Sequence, residues 1–497
     1  METTSYKQII RSTGITGIAQ SIIIILKIIG NKFIAVLLGP VGIGYMGLLQ
    51  STIDLINNIS GLGLGSSAVR DIAVASKSED AHKISSTILV LKRLCIVTGI
   101  AGTIFTFICA PFLSRWAFQN NDHINDFRYL SVALFITQIA IGQQAILQGT
   151  RRLKEMAISS ITGTAAGLIL TVPLYFIYGK DAIVPAILIS AGIYLFTSWY
   201  FSRKVKTIKT QLSINETLSS AKGMITLGFA TMLSGLFILI SIYQLRLLIN
   251  QELGMFYVGI FQAGWGIEAI YLQMLFQAMS RDYYPRLSAI SNSPTEMNKL
   301  VNEQLHISIL IAAPIISIMI LVSPLLIQLM YSPEFYSAAS LLQWLLMGTL
   351  LKIFAWPVAF VLPALRSTRI YLLTEAFASL GIWLIARLLI DRFGIEAVGI
   401  AYMLNYILYC TLVFFIARRL ISLKFDKFTF TVISVSAVFI AITFILRRNE
   451  YFSTLSIIGA TSASCLLIAW SVFHLNRVAG IKGIILRKFR SVGKSDN

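Results

Sequence analysis

Long apolar runs alternate with short polar and basic segments along all 497 residues of this chain. A helix needs about 20 apolar residues to cross a bilayer. Fourteen runs reach that length: 13–38, 42–66, 86–112, 129–149, 157–178, 182–202, 224–249, 255–279, 306–330, 336–362, 370–390, 396–416, 428–446 and 453–474. The first is entered from Met1-Glu2-Thr3-Thr4-Ser5-Tyr6-Lys7 without a small-residue cleavage site, and reads as a retained span rather than a removable signal. The pattern predicts an all-α integral membrane protein.

A repeat runs through the first twelve spans. Gly44-Tyr45-Met46-Gly47-Leu48-Leu49-Gln50 opens span two, and Phe256-Tyr257-Val258-Gly259-Ile260-Phe261-Gln262 opens span eight. Thr150-Arg151 after span four matches Thr368-Arg369 after span ten, and Gly179 before span six matches Gly394 before span twelve. Offsets of 212 to 218 residues predict two pseudo-symmetric six-helix lobes in one orientation, 1–202 and 224–418, joined by a cytoplasmic linker at 203–223. Two further helices at 428–474 resemble nothing earlier, and 475–497 reads as a basic cytoplasmic tail. Parallel repeats of this kind place a substrate site at their interface.

Composition fits a lipid solvent. Hydrophobic residues make up 56% of the chain and charged ones 13%, against about a quarter charged in a soluble domain. The 41 Lys and Arg outnumber the 22 Asp and Glu, an excess that in a soluble protein would suggest nucleic acid. With the N-terminus inside, 28 of the basic residues fall in inside-facing segments and 6 in outside-facing ones. This is the positive-inside bias. It orients the chain with both termini cytoplasmic and leaves nothing for nucleic acid to explain. Lys482, Arg487, Lys488, Arg490 and Lys494 suit anionic headgroups, or a solvated topological anchor.

Cys95, Cys109, Cys410 and Cys465 lie in apolar runs without a CxxC pair, and the four histidines show no metal-ligand spacing. Gly61-Leu62-Gly63-Leu64-Gly65 and Gly39-Pro40-Val41-Gly42 lack the Lys-Ser/Thr of a phosphate loop and read as turn and packing glycines. No ATPase motif is present. Energy must come from an ion gradient, substrate supply or a separate protein, so no cofactor is expected beyond a coupling proton or sodium ion.

Leu37-Leu38-Gly39-Pro40-Val41-Gly42-Ile43-Gly44 with Leu48-Leu49-Gln50-Ser51 resembles the first hairpin of Wzx-type O-antigen and lipid-linked oligosaccharide flippases. Tyr284-Pro285-Arg286-Leu287-Ser288 also resembles that family, which belongs to the MOP superfamily with the lipid II flippase and the MATE exporters. The resemblance covers spans one to twelve. Fourteen spans depart from the twelve-span members, although the lipid II flippase also carries two extra helices. The resemblance implies two lobes around a central cavity that opens alternately inward and outward.

Ionisable groups at membrane depth usually face a bundle interior or a water-filled cavity. Thr13, Thr16, Gln20, Lys27 and Asn31 form one helical stripe in span one, with Lys32 just off it. Gly47, Gln50, Asp54, Asn57 or Asn58, and Gly61 form another in span two; Gln262, Gly266, Gln273 and Gln277 form a third in span eight. Given a pyrophosphate-bearing substrate, Lys27, Lys32, Arg246 and Lys352 are candidates to hold the diphosphate while the polar stripes face sugars. Lys32, Arg246 and Arg387 lie close enough to the outer surface to snorkel instead, and snorkelling is the reading for Lys92 and Arg93. Asp54 is a candidate for the substrate-facing wall and for coupling-ion binding, with the alternative of neutralising Lys27. Glu268 has two readings, pairing with a neighbouring helix or binding a coupling ion, and Glu375 reads as structural or interfacial.

These features predict a monomeric, non-enzymatic flippase of the bacterial inner membrane. Its cargo is an undecaprenyl-diphosphate-linked glycan, and its partners include other glycan-assembly membrane proteins. The rival is a cation-coupled MATE-type exporter, which should favour acidic over basic cavity residues. A membrane-embedded glycan polymerase or ligase needs a sizeable outer loop, and the longest here, 113–128, is small.

Overall fold

The computed structural model describes residues 2–78, 80–448 and 453–479, without the side chains of 1–16, 230, 234, 271–275, 277, 278, 280, 281, 453, 478 and 479. The basic tail from Lys482 onward and the side chains of Thr13, Thr16, Gln273 and Gln277 lie outside this description. Helices account for nearly all of it. They are α1 (Glu2–Ser60), α2 (Leu64–Lys77), α3 (Ala81–Phe118), α4 (Ile124–Gly149), α5 (Leu153–Tyr178), α6 (Ile183–Ser202), α7 (Ile214–Glu252) and α8 (Met255–Ala289), followed by α9 (Pro294–Leu321), α10 (Ser323–Met330), α11 (Ala338–Ala359), α12 (Val361–Ala364), α13 (Thr368–Phe393), α14 (Glu396–Ile421), α15 (Lys427–Arg448) and α16 (Ser453–Ala479).

Among the described residues, eleven helical stretches are long and apolar enough to cross a membrane. Two of them, Gly17–Ser60 and Leu153–Ser202, each hold two of the expected spans, and α8 carries the eighth. The protein is a multi-pass membrane protein. The first stretch bends at Gly39 (φ 63, ψ −174), where the following Pro40 disfavours a helical conformation and glycine accepts the left-handed φ without strain.

Two compact units emerge: Met1–Gly259 with Met330–Glu334, and Ile260–Leu329 with Phe335–Asn497. The division at Gly259 differs from the linker expected at 203–223, because α7 packs along α1, α2 and α3 in the first unit. The linker is also shorter than expected. Ser213 and Glu216 form a capping box that starts α7 at Ile214. Arg93, read as a snorkelling residue, instead donates to Leu212 O at 2.9 Å and to Thr217 Oγ1 at 2.5 Å, fastening the linker to α3. After span two the chain is helical from Leu64 to Lys77, with Leu64, Ala68, Ile72 and Ala75 buried along one face.

Backbone geometry gives the repeat its register. Gly39 (φ 63), Arg151 (φ 58) and Gly179 (φ 57) recur as Gly254 (φ 88), Arg366 (φ 56) and Gly394 (φ 55), each pair 215 positions apart. The same interval carries α5 onto α13 end to end. It confirms Gly179 with Gly394 and corrects the other two matches: Arg151 corresponds to Arg366 rather than Arg369, and Gly44 rather than Gly47 corresponds to Gly259. Identical letters three residues out of register misled the comparison, since glycine and aromatics are common in membrane helices. Gly44 and Gly259 mark a reciprocal crossing inside the first unit. A Cβ on Gly44 would lie 2.4 Å from Met255 O, and one on Gly259 would lie 1.9 Å from Pro40 O.

In the second unit, α15 and α16 pack on α9 and on each other. Ser317 on α9 lies 3.1 Å from Thr443 Oγ1 and 2.8 Å from Ser464 Oγ, both buried. At one end of α15, Thr429 Oγ1 donates to Asn302 Oδ1 at 2.7 Å and lies 2.6 Å from His306 Nε2, so the imidazole is the donor of that second bond. At the other end, Arg448 donates to Glu396 Oε2 at 2.8 Å and Ser340 Oγ at 2.9 Å. Glu396 also accepts from Ser340 and from Trp344 Nε1.

Candidate functional site: the polar walls of the two units

The kink at Gly39 makes α1 a wall with two kinds of surface. Ile18, Ile22, Ile25, Ile29, Phe33 and Val36, all exposed, repeat at three- and four-residue steps and so share one face. In a bilayer that face meets acyl chains. Gln20 and Lys27 are also exposed, on the opposite side, and half-buried Asn31 continues that side. Polar groups exposed at membrane depth, turned from lipid, require an aqueous space beside them. Among the described residues Lys27 has no hydrogen-bond or ion-pair partner. Lys32 lies off this face, and its Nζ donates to Tyr331 O at 2.5 Å, tying it to the 330–334 segment of the same unit.

Beyond the kink, Gln50 Nε2 donates to Asp54 Oδ1 at 2.9 Å. The cation that acts on Asp54 is Arg246 of α7, which is 9% exposed. Asp54 therefore answers Arg246, not Lys27. The next helical turns line an open cavity of 260 Å³ with Asp54, Asn57, Asn58 and Gln138, and Gly61 and Gly63 of the helix break line it too. Asn57 and Asn58 line this cavity, while their Oδ1 atoms are themselves buried without a protein partner among the described residues.

The second unit holds a separate charge cluster. Glu268 is 1% exposed and accepts from Thr349 Oγ1 at 2.8 Å and from the Tyr402 hydroxyl at 2.9 Å. Lys352 Nζ lies 3.4 Å from the Tyr402 hydroxyl and within 5.9 Å of the Phe276, Tyr402 and Tyr406 ring centroids. Glu268 and Glu375 both act on it electrostatically, and Glu375 accepts from Tyr409 at 3.1 Å. Lys352 thus sits in an aromatic box under the electrostatic influence of two carboxyl groups. Thr349, Tyr402, Tyr406 and Tyr409 escaped the sequence reading, because tyrosine and threonine in an apolar run give no signal until helices α11, α13 and α14 are packed. Gln262 is half-buried. Arg387 is exposed on the face that carries Leu380, Leu384 and Leu388, which places it on the lipid side and favours snorkelling. No group of three or more His, Cys, Asp or Glu able to hold a metal occurs among the described residues.

The polysaccharide biosynthesis protein family model matches residues 33–340. The chain belongs to that family. Over 413 residues, 78% of this chain and 94% of the relative, it is 25% identical to the lipid III flippase of Escherichia coli (strain K12), and equally to that of Shigella flexneri. Its fold resembles that of the lipid II flippase MurJ in an inward closed conformation (TM-score 0.67, 14% identity, 94% of this chain and 100% of that one). It also resembles an inward-facing multidrug resistance MATE transporter of the MOP superfamily (TM-score 0.63, 16% identity, 81% and 94%). At these identities the structural neighbours establish the MOP transporter fold alone.

Proposed function

We propose that this family member is a flippase of the bacterial inner membrane that moves an undecaprenyl-diphosphate-linked oligosaccharide, an O-antigen or related surface glycan unit, from the cytoplasmic to the periplasmic leaflet by alternating access. The observation that carries the proposal is the double-sided α1, lipid-facing along one stripe and bearing exposed Gln20 and Lys27 on the other. Lys27 is the cation best placed to receive a diphosphate, since Arg246 is already balanced by Asp54 and Lys352 by Glu268 and Glu375. Gln50, Asp54, Asn57 and Asn58 offer the hydrogen-bonding groups that a glycan needs. The flippase names of the curated relatives support the cargo class.

The deciding experiment is translocation of a polyprenyl-diphosphate-linked oligosaccharide in proteoliposomes, run beside export of a cationic dye. Glycolipid movement lost in Lys27→Ala supports the proposal. Dye export without glycolipid movement overturns it in favour of the MATE-type alternative.

Glu268 supports a second element of the mechanism. Two carboxyl groups share one lysine in the second-unit cluster, and a net negative charge buried at membrane depth is costly. An additional proton or a sodium ion restores neutrality, which makes Glu268 the candidate coupling site. If so, Glu268→Gln abolishes the dependence of transport on an ion gradient; unchanged dependence removes this role.

A further inference from the structure

In the second unit, the last turn of α15, the start of α11 and Ser456–Ile457 of α16 line a partly open cavity of 410 Å³, within the size range of about 300–1,000 Å³ typical of small-ligand sites. It shares no residue with the transport groups above. On one side stands Arg448, whose charge is spent on Glu396. On the other side stand two groups without an ion pair among the described residues. Arg447 is half-buried and its Nε donates to Leu321 O at 3.1 Å, while its two terminal nitrogens donate to none of the described residues. Ser456 is 5% exposed, lines the same cavity, and its hydroxyl has no partner among the described residues either. The N-terminus of α11 lies at the rim, where the Ser337 side chain makes no cap and the Ala339 amide donates to Tyr336 O at 3.0 Å. Gln343 donates its Nε2 to Ser323 at 2.9 Å, which leaves its Oε1 as an acceptor on the wall.

One fixed guanidinium fork and a buried hydroxyl, beside a helix N-terminus, select an anion with several acceptor oxygens, above all phosphate. Depth narrows the source. Arg447 and Arg448 are the last residues of a membrane span, with Tyr336 and Trp344 beside them, the setting of the membrane–water interface where aromatic side chains gather. Phosphodiesters of phospholipids sit at that level, and basic pockets between membrane helices hold such headgroups. The acceptor on Gln343 calls for a hydroxyl donor next to the phosphate. We infer that this cavity binds the headgroup of an anionic glycerol-bearing phospholipid, with the phosphate on Arg447 and Ser456 and a glycerol hydroxyl on Gln343.

The test uses the full chain, delipidated in detergent and then offered phosphatidylglycerol, phosphatidylcholine or inorganic phosphate, with native mass spectrometry and the thermal midpoint as readouts. Phosphatidylglycerol is expected to stay bound and raise the midpoint, and phosphatidylcholine to do neither. Arg447→Gln is expected to weaken phosphatidylglycerol retention by about tenfold or more, the loss typical of one charge-assisted hydrogen bond. Ser456→Val, which keeps the volume and removes the hydroxyl, is expected to weaken it too, and serves if the arginine variant folds poorly. Equal retention of the two lipids, or full retention in Ser456→Val, overturns the site. A midpoint shift reproduced by inorganic phosphate alone overturns the lipid source.

Discussion

Lys27 and Lys352 are both ammonium groups at membrane depth, and their surroundings assign them different tasks. Lys27 stands exposed on the polar side of α1, so Lys27→Ala should reduce glycolipid flipping by tenfold or more, roughly the weight of one charge-assisted contact, with membrane insertion and thermal midpoint unchanged. Lys352→Ala should differ in kind: it leaves Glu268 and Glu375 without their shared cation and should lower stability as well as transport, which a melting curve beside the flux assay would separate. The sequence shows both lysines to be deep. It does not show which one is answered, because that depends on Glu375 and Tyr402 arriving from α13 and α14. Asp426, outside the spans, gives a pH prediction. Partial burial raises its carboxyl, but the Thr429 amide, which donates to it at 2.5 Å, and His306 outweigh this and hold it below its usual value of 3.8. The ionised form therefore stabilises the fold above that pH, and the contribution is lost as pH falls below it. Asp426→Asn should be less stable than wild type near neutrality and converge with it in acid, as read by thermal midpoints across pH.

At the scale of elements, long apolar runs were legible because lipid demands continuous helices with every backbone group satisfied internally. Breaks and caps were less so. The Ser213–Glu216 capping box has a plain S-x-x-E signature inside what reads as a polar linker, and α2 follows from the apolar spacing of Leu64, Ala68, Ile72 and Ala75 once charge is not taken as proof of a loop. The crossing at Gly44 and Gly259 had no chance of recognition from letters alone, since it depends on two backbones meeting. Adding a methyl at Gly259 places it 1.9 Å from Pro40 O, a backbone atom that cannot swing aside. Gly259→Ala should therefore destabilise by at least the 1–3 kcal/mol typical of overpacking, an approximate range, measurable as a lower midpoint in detergent. An unaltered midpoint would show the crossing to be loose.

Across the whole molecule, the interval of 215 residues assigns every helix through α14 a counterpart, while α15 and α16 have none. The two halves are consequently unequal where that hairpin docks. Ser317 occupies the place that Gly102 holds in the first half, and His306 the place of Leu91. A hairpin-free version of this chain would thus leave the Ser317 hydroxyl facing hydrocarbon and the His306 imidazole without its Thr429 and Asp426 partners, each costing roughly 1–3 kcal/mol. Truncation after Ile421 should give a poorly accumulating protein, and restoring the first-half residues with His306→Leu and Ser317→Gly should recover much of its yield on a membrane-fraction blot. The two terminal helices and the face of α9 that receives them are matched by these polar contacts, so neither side should tolerate losing the other unless its own residues change as well.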